Sequence, residues 1–412
     1  MASSMMNGYK VLDLTDKKGF LVGKLLADLG MEVIKVEKPG GDPDRMQPPY
    51  YKGEEKAENS LFFEAYNMNK KSVTLDIEKE EGKKVFLDMV KKVDFVIESF
   101  DPGYLDSIGL GYKDVSAVKP DIIMASLTPF GQNGPDAKLH IDDDLVLQSL
   151  STMLKRSGDP DRAPLKITDY PQSWLTGCLD VMEACMIANY YRSQTGEGQY
   201  IDCAIIESVI GDPVSINDYN ELGKEGVRSG SVYRGAGLTT PMIWRCKDGF
   251  ISFQLRGGKM GQTNQTGLTQ WMIDEGVCPD YIRDFDWEHF EWRTTNQETL
   301  DKLEEYIAPF LLSHTKKELV QEGTKRNVMM GMVASIPDLI EDEQFNARNF
   351  WTSFEYDEKP VVCPGAFAKF SETPIEGFTR APHPGENNTE VYADLCGLKA
   401  GDVEALKAKG IV

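Results

Sequence analysis

Apolar and polar positions follow a repeating order through the first two hundred residues. Residues 9–14 (YKVLDL) alternate behind Asn7-Gly8 and predict a strand. Residues 19–29 carry apolar positions at helical spacing, and 32–37 (EVIKVE) predict a second strand closed by Lys38-Pro39-Gly40-Gly41. Strand–helix–strand order favours parallel pairing through a right-handed crossover. Further strands are expected at 72–77 (SVTLDI), 94–99 (DFVIES) and 121–128 (DIIMASLT), with helices at 82–92 and 145–154.

The stretch 166–205 stands out. It opens polar, with Thr168, Asp169, Pro171, Gln172 and Ser173, and then places Cys178, Val181, Met182, Cys185 and Met186 at helical spacing. Gly196 and Gly198 stop that helix, and 200–205 reads as a buried strand. Unpaired amides where a polar turn enters a buried helix favour negative charge, so chemistry is expected there. Residues 1–212 thus predict a doubly wound α/β domain. A linker is expected at 213–237 and a smaller α+β domain at 238–346, with two strands meeting at Lys247-Asp248-Gly249 and a glycine-rich loop, RGGKMGQ, at 256–262. Residues 347–412 hold short strands, a Pro/Gly passage at 381–385 and a last helix at 401–409.

A chain of 412 residues exceeds one small core, which agrees with two domains. Its formal charge of −21 argues against nucleic acid held through a general field, but not against an anionic small ligand at a local basic site. No apolar run reaches the ~18 residues of a membrane span. The opening MASSMMNGYK lacks a signal-peptide layout. The scattered cysteines, at 178, 185, 203, 246, 278, 363 and 396, imply reduced thiols and a cytoplasmic location. The histidines at 140, 289, 314 and 383 are far apart, so no metal site is expected. A nicotinamide dinucleotide is also rejected. Glu37 follows Gly19 at the right interval, but the turn 16–21 (DKKGFL) lacks GxGxxG, and Glu37 reads as a solvated strand end.

In order along the chain, LLADLGMEVIKVEKPGGDPDR (25–45), NKKSVTLDI (69–77), VDFVIESFDPGYLDSIGL (93–110), ASLTPFGQNGP (125–135), DDLVLQSLS (143–151), SQTGEGQYID (193–202), CKDGFISF (246–253) and the PHPGE turn resemble the class III CoA-transferase family and its racemase cousins. The resemblance covers nearly the whole chain. It implies a Rossmann-like large domain built from both chain ends, with residues 347–412 returning to it, a small domain between, and two interlocked subunits. It also implies coenzyme A or acyl-CoA as substrate, with no covalently bound cofactor. In the implied reaction an aspartate attacks an acyl-CoA and forms a mixed anhydride, which needs a carboxylate nucleophile and oxyanion donors. The implied CoA contacts are Lys17, Lys38, Ser99 and Phe100, with Asn69, Lys70 and Lys71 on the adenine side.

The chain departs from the family where the chemistry should be. Counting back from Gly177, the aspartate position holds Ser173; a shift of one gives Trp174 or Gln172, and the nearest acid is Asp169, also readable as a turn aspartate before Pro171. Asp101 and Ser107 stand where relatives carry basic residues. The expectation is a nucleophile-lacking subunit that works with a homologous aspartate-bearing partner, taking CoA from a succinyl-CoA-type donor to a carboxylic acid, with aromatic succinates as candidate acceptors. Trp174, Arg256, Gly257, Gly258 and Lys259 are candidate pocket residues, against a core tryptophan and a solvent-exposed turn. The alternatives are an active homodimer using Asp169, a racemase using His140 with the run Asp142, Asp143 and Asp144 (otherwise a solvated turn), and a CoA-binding scaffold.

Overall fold

The computed structural model describes residues 4–141, 143–211, 223, 228–356 and 359–412. It divides into two compact units, Met1–Thr152 with Thr168–Leu222 and Gln344–Val412, and Met153–Ile167 with Gly223–Glu343.

The first unit is built on a parallel sheet. Its strands are β1 (Lys10–Leu14), β2 (Glu32–Glu37), β3 (Lys71–Thr74), β4 (Phe95–Glu98), β5 (Ile123–Thr128) and β6 (Gln199–Ala204), in the order β3-β2-β1-β4-β5-β6. Between and after them run α1 (Phe20–Asp28), α2 (Leu61–Asn67), α3 (Glu80–Val90), α4 (Tyr104–Ser107), α5 (Tyr112–Val118), α6 (Asp144–Leu150), α8 (Gln172–Thr195) and α9 (Ile205–Gly211); α7 (Met153–Arg156) belongs to the other unit. The inner strands are Val/Ile/Leu-rich and buried on both faces, as parallel sheets require. β6 differs from the buried strand expected at 200–205. Among the described residues it pairs only with β5, and its residues alternate between half-buried and exposed up to Ala204, as an edge strand allows.

The core of this unit gathers Leu12, Ile34, Val73, Phe86, Val96 and Met124, and Tyr392, Leu395, Val403 and Ile411 close it from helices Asn388–Cys396 and Ala400–Ala408 and the residues after them. Each aliphatic side chain so buried contributes about 1.5–3 kcal/mol. Polar contacts pin the same return: Tyr392 Oη donates to the Thr74 carbonyl at 2.6 Å, and Asp76 N to the Ile411 carbonyl at 2.7 Å.

α8 begins at Gln172, six positions before the apolar spacing starts at Cys178, and ends on Gly196 in a left-handed conformation (φ +77°). A methyl at Gly177 would lie 3.1 Å from both Ile205 and Leu127, so glycine lets the helix approach β5 and α9.

In the second unit β9 (Ile243–Cys246) and β10 (Gly249–Ser252) form the expected antiparallel pair, extended by β11 (Gly331–Met332). Trp244, Phe253, Trp271, Leu300, Ile307 and Leu319 form its core. Part of the expected linker is a hairpin, β7 (Val232–Gly235) against β8 (Leu238–Pro241), while 212–222 and 224–227 lie outside the described residues. Residues 153–167, read from sequence as part of the large domain, group here instead. The Arg228 guanidinium donates to the carbonyls of Lys155, Asp159 and Arg162 at 3.3, 3.1 and 3.0 Å.

Candidate functional site

Strand order in the large unit reverses between β1 and β4, the place where open α/β sheets bind ligands beyond their carboxyl ends. A cavity of about 360 Å³ lies there, framed by Thr15, Asp16 and Lys18 after β1, Glu37 and Lys38 at the end of β2, and Ser99, Phe100 and Asp101 after β4. Lys38, Ser99 and Phe100, expected as CoA contacts, are on its wall.

The other expected contacts are engaged elsewhere. Lys17 is off the wall, with Nζ 5.7 Å from the centroid of the Trp174 ring. Lys70 is fully buried, where Nζ donates to Asp13 Oδ2, the Phe20 carbonyl and Asn67 Oδ1 at 2.7, 2.8 and 2.8 Å. Burial pulls this ammonium down to about 8, against the opposing pull of Asp13. Lys71 pairs with Glu32 and Glu390, and Asn69 binds Asp28 and the Thr379 amide. These three are fastenings of the fold. Glu37 also corrects its sequence reading. It is buried, and Arg45 grips it with two bonds of 2.7 Å. Burial works to raise its carboxyl, but Arg45, Lys35 and Ser72 together hold it below the usual range.

At the mouth of α8, Ser173 is completely buried and its Oγ has no hydrogen-bond partner among the described residues; Trp174 is buried too, and its Nε1 likewise has none among them. The Ser173 amide donates to Asp144 Oδ1 at 2.8 Å, and the Gln148 side-chain amide donates to the other oxygen of the same carboxylate. Asp144 is therefore not part of a solvated turn. It is 3% exposed and carries the start of α8, a role sequence reading missed, although an acid opening an apolar helical run was its visible signal. Asp169 is exposed on the bend before α8.

The racemase pair is not assembled among the described residues. His140 Nδ1 lies 3.0 Å from Asp101 Oδ1 on the surface, Asp143 caps α6 through the Leu145 amide, and Asp142 is outside the described residues. In the second unit Arg256-Gly257 leads directly into helix Gly258–Asp274, so the expected loop 256–262 is mostly helical. Gln265 Nε2 donates to the Arg256 carbonyl, Arg256 Nη1 lies 3.7 Å from Met260 Sδ, and Lys259 is exposed.

Sequence reading also missed Glu98. Burial pushes its carboxyl up to about 7, against hydrogen bonds from the Ser126 hydroxyl and, at 2.8 Å, the Phe100 amide. Tyr200 Oη donates to Ser126 Oγ at 2.8 Å, and Glu98 and Tyr200 border a second cavity of about 310 Å³. The one signal was an acid ending an apolar strand.

Among the described residues no helix is long and apolar enough to cross a membrane. A family profile described as CoA-transferase family III matches residues 6–388. The chain is 30% identical over 409 residues to a protein named succinyl-CoA:(R)-benzylsuccinate CoA-transferase subunit BbsE from Thauera aromatica, covering 98% of this chain and 97% of that one. It is 33% identical over 405 residues to succinyl-CoA:mesaconate CoA-transferase from Haloarcula hispanica, covering 96% and 97%. A crystal structure of a CAIB/BAIF family protein from Brucella suis superposes with a TM-score of 0.78 at 28% identity, covering 94% of this chain and 98% of that one. With the switch-point cavity and the doubly wound sheet, this match along almost its entire length makes the chain a member of CoA-transferase family III.

Proposed function

We propose that this chain is the nucleophile-lacking subunit of a heteromeric acid:CoA transferase. It works in the cytoplasm with a homologous aspartate-bearing chain and serves the transfer of CoA from a succinyl-CoA-type donor to a carboxylic acid. The observation that carries this reading is Ser173, whose buried hydroxyl has no hydrogen-bond partner among the described residues and so no base among them to activate it. The neighbouring carboxylate, Asp144, is occupied by the Ser173 amide. An unactivated hydroxyl could at best form an ester, which is far less reactive toward a thiolate than an anhydride.

In this reading the companion's aspartate attacks the thioester carbonyl, the C–S bond breaks, and CoA leaves as the thiolate. The donor acid is then released as the thiolate attacks the aspartyl carbonyl, and the acceptor carboxylate repeats the sequence in reverse. This chain's part is to shape the pocket and brace the companion. α8 supports that role, because Leu179, Ile187 and Tyr190 fall along one of its faces and are 50%, 61% and 70% exposed, an apolar stripe suited to a protein partner. The relative named as a subunit supports the heteromer, and its name makes an aromatic succinate a candidate acceptor. In the interlocked pair of this reading, residues 1–152, 168–212 and 347–412 form the large domain, 213–237 the linker, and 238–346 with 153–167 the small domain; Trp174 in the first and Arg256, Gly257, Gly258 and Lys259 in the second are the candidate pocket residues.

A second reading, an active transferase using Asp169, is favoured by one observation: Asp169 is an exposed carboxylate four positions before Ser173. Purified chain given succinyl-CoA and candidate acids separates the two. The expected result is no exchange alone, exchange with an aspartate-bearing companion, and no effect of Asp169→Asn in the pair. Exchange by the chain alone that Asp169→Asn abolishes would overturn the subunit reading.

A further inference from the structure

The amides joining β1 to α1 are where the switch-point cavity should meet a phosphate, because open N–H groups at a helix N-terminus favour anions. In this chain each of them is already taken. Thr15 N donates to Asp13 Oδ1 at 2.9 Å, Asp16 N to Ser99 Oγ at 2.8 Å, Lys17 N to Asp44 Oδ2 at 3.0 Å and Lys18 N to Asp16 Oδ1 at 3.0 Å. Gly19 N and Phe20 N both donate to the Asp16 carbonyl, at 2.9 and 3.1 Å. Asp44 thus places its own carboxylate at the helix end where an outside anion would sit.

The cations on the wall are engaged as well. Lys18 pairs with Asp16, Lys35 with Asp42 at 3.2 Å and with the Thr15 carbonyl, and Lys38 with Glu78 at 3.4 Å. At the rim Asp101 adds a carboxylate whose side chain is 70% exposed, with His140 Nδ1 3.0 Å from its Oδ1. The rest of the wall mixes Thr15, Glu37, Ser99 and His140 with an apolar side, where Leu14, Val36, Leu75 and Ile77 lie with the rings of Phe100 and Tyr104, whose centroids are 4.7 Å apart.

We infer that Asp16, Asp44 and Asp101 are specificity-determining residues that make this cavity reject the phosphates of a nucleotide and accept an uncharged, ring-bearing ligand. A phosphate entering here has to displace the Asp44 carboxylate from its amide or break the Lys18–Asp16 pair, and either change leaves a carboxylate without its partner. An uncharged ring makes no such demand and gains the apolar wall and the aromatic edge. The inference does not depend on whether the chain carries a nucleophile. If the companion supplies the aspartate, it also supplies the grip on the phosphates of CoA.

The test is calorimetric titration of the full chain with adenosine, with 3′,5′-ADP, which adds phosphates to the same ring, and with CoA. Adenosine is expected to bind at least about tenfold more tightly than 3′,5′-ADP at about 20 mM salt, and the gap should narrow at about 300 mM as screening shortens the reach of the carboxylates. Asp101→Lys, on the surface and so safe for folding, should tighten 3′,5′-ADP by about tenfold and leave adenosine within about twofold. Asp44→Asn should act in the same direction. Tighter binding of 3′,5′-ADP or CoA than of adenosine, weakening as salt rises, overturns the inference, and so does failure of adenosine to bind at millimolar concentration. Exchange activity reads a different property, so either proposal can fail while the other stands.

Discussion

Asp144→Ala tests how the start of α8 is held. Asp144 is 3% exposed and accepts from the Ser173 amide at 2.8 Å and from the side chain of Gln148, itself fully buried. Removing the carboxylate orphans the buried Ser173 amide, at a cost of about 1–3 kcal/mol, and takes one hydrogen bond from the Gln148 side chain, worth about 0.5–1.5 kcal/mol. It also removes a negative charge from the positive end of α8, worth about 0.3–1 kcal/mol. Relief from burying a carboxylate offsets part of this, so a net loss of about 2–4 kcal/mol is expected. In Asp144→Asn the amide oxygen can still accept from Ser173 N while Gln148 turns its amide over, and the loss should be about 1–2 kcal/mol. The fitting assay is local. Native-state hydrogen exchange on a peptide covering 170–180 should lose about 30- to 900-fold protection in the alanine variant, with a smaller loss in the asparagine variant. Trp174, next in sequence to Ser173, provides a fluorescence check. Protection within about threefold of the parent in Asp144→Ala would mean that the helix start is held by something other than this carboxylate.

Two further outcomes follow from other buried acids. Arg45→Ala removes both 2.7 Å bonds to Glu37 and the stacking 4.0 Å over Phe63, leaves the buried carboxylate with only Ser72, the Asp42 amide and the more distant Lys35 among the described residues, and should cost about 3–5 kcal/mol in urea unfolding, with Arg45→Lys recovering only part. Glu98 has a folded value of about 7, above its ordinary 4.5, so the folded state holds this proton more tightly. Its contribution is therefore intact below about 4.5 and is lost as pH rises to about 7, by roughly 3 kcal/mol at most. Glu98→Gln should flatten that stretch of the stability–pH curve, and an unchanged slope would remove Glu98 as its source.

Local pattern carried much of the fold and little of the site. The expected strand 32–37 is β2 itself, because EVIKVE needs only flanking turns and apolar neighbours to be recognised. The start of α8 was placed too late because Gln172 and Ser173 carry no apolar signal; a carboxylate 29 positions earlier in the chain holds that turn. Glu37 looked solvated because its partner, Arg45, lies beyond a Pro/Gly turn, and Lys70 looked like a ligand contact because nothing local to it reveals Asp13, 57 positions away. Apolar spacing reports which face of an element is covered. The partner of a polar group is a property of the assembled fold. The missing acid at position 173 was legible only through the family resemblance, whereas the crowding of the β1–α1 amides by Asp16 and Asp44 required coordinates.

The helices around Tyr392 and Val403 set a schedule for biogenesis. β3 leaves the ribosome about 320 residues ahead of Tyr392, which donates a hydrogen bond to its Thr74 carbonyl, a delay of roughly 15–60 s at ordinary elongation rates. Throughout that interval the nascent sheet has one apolar flank without its lid, so translation speed and chaperone supply should govern the yield of this chain more than its final stability does.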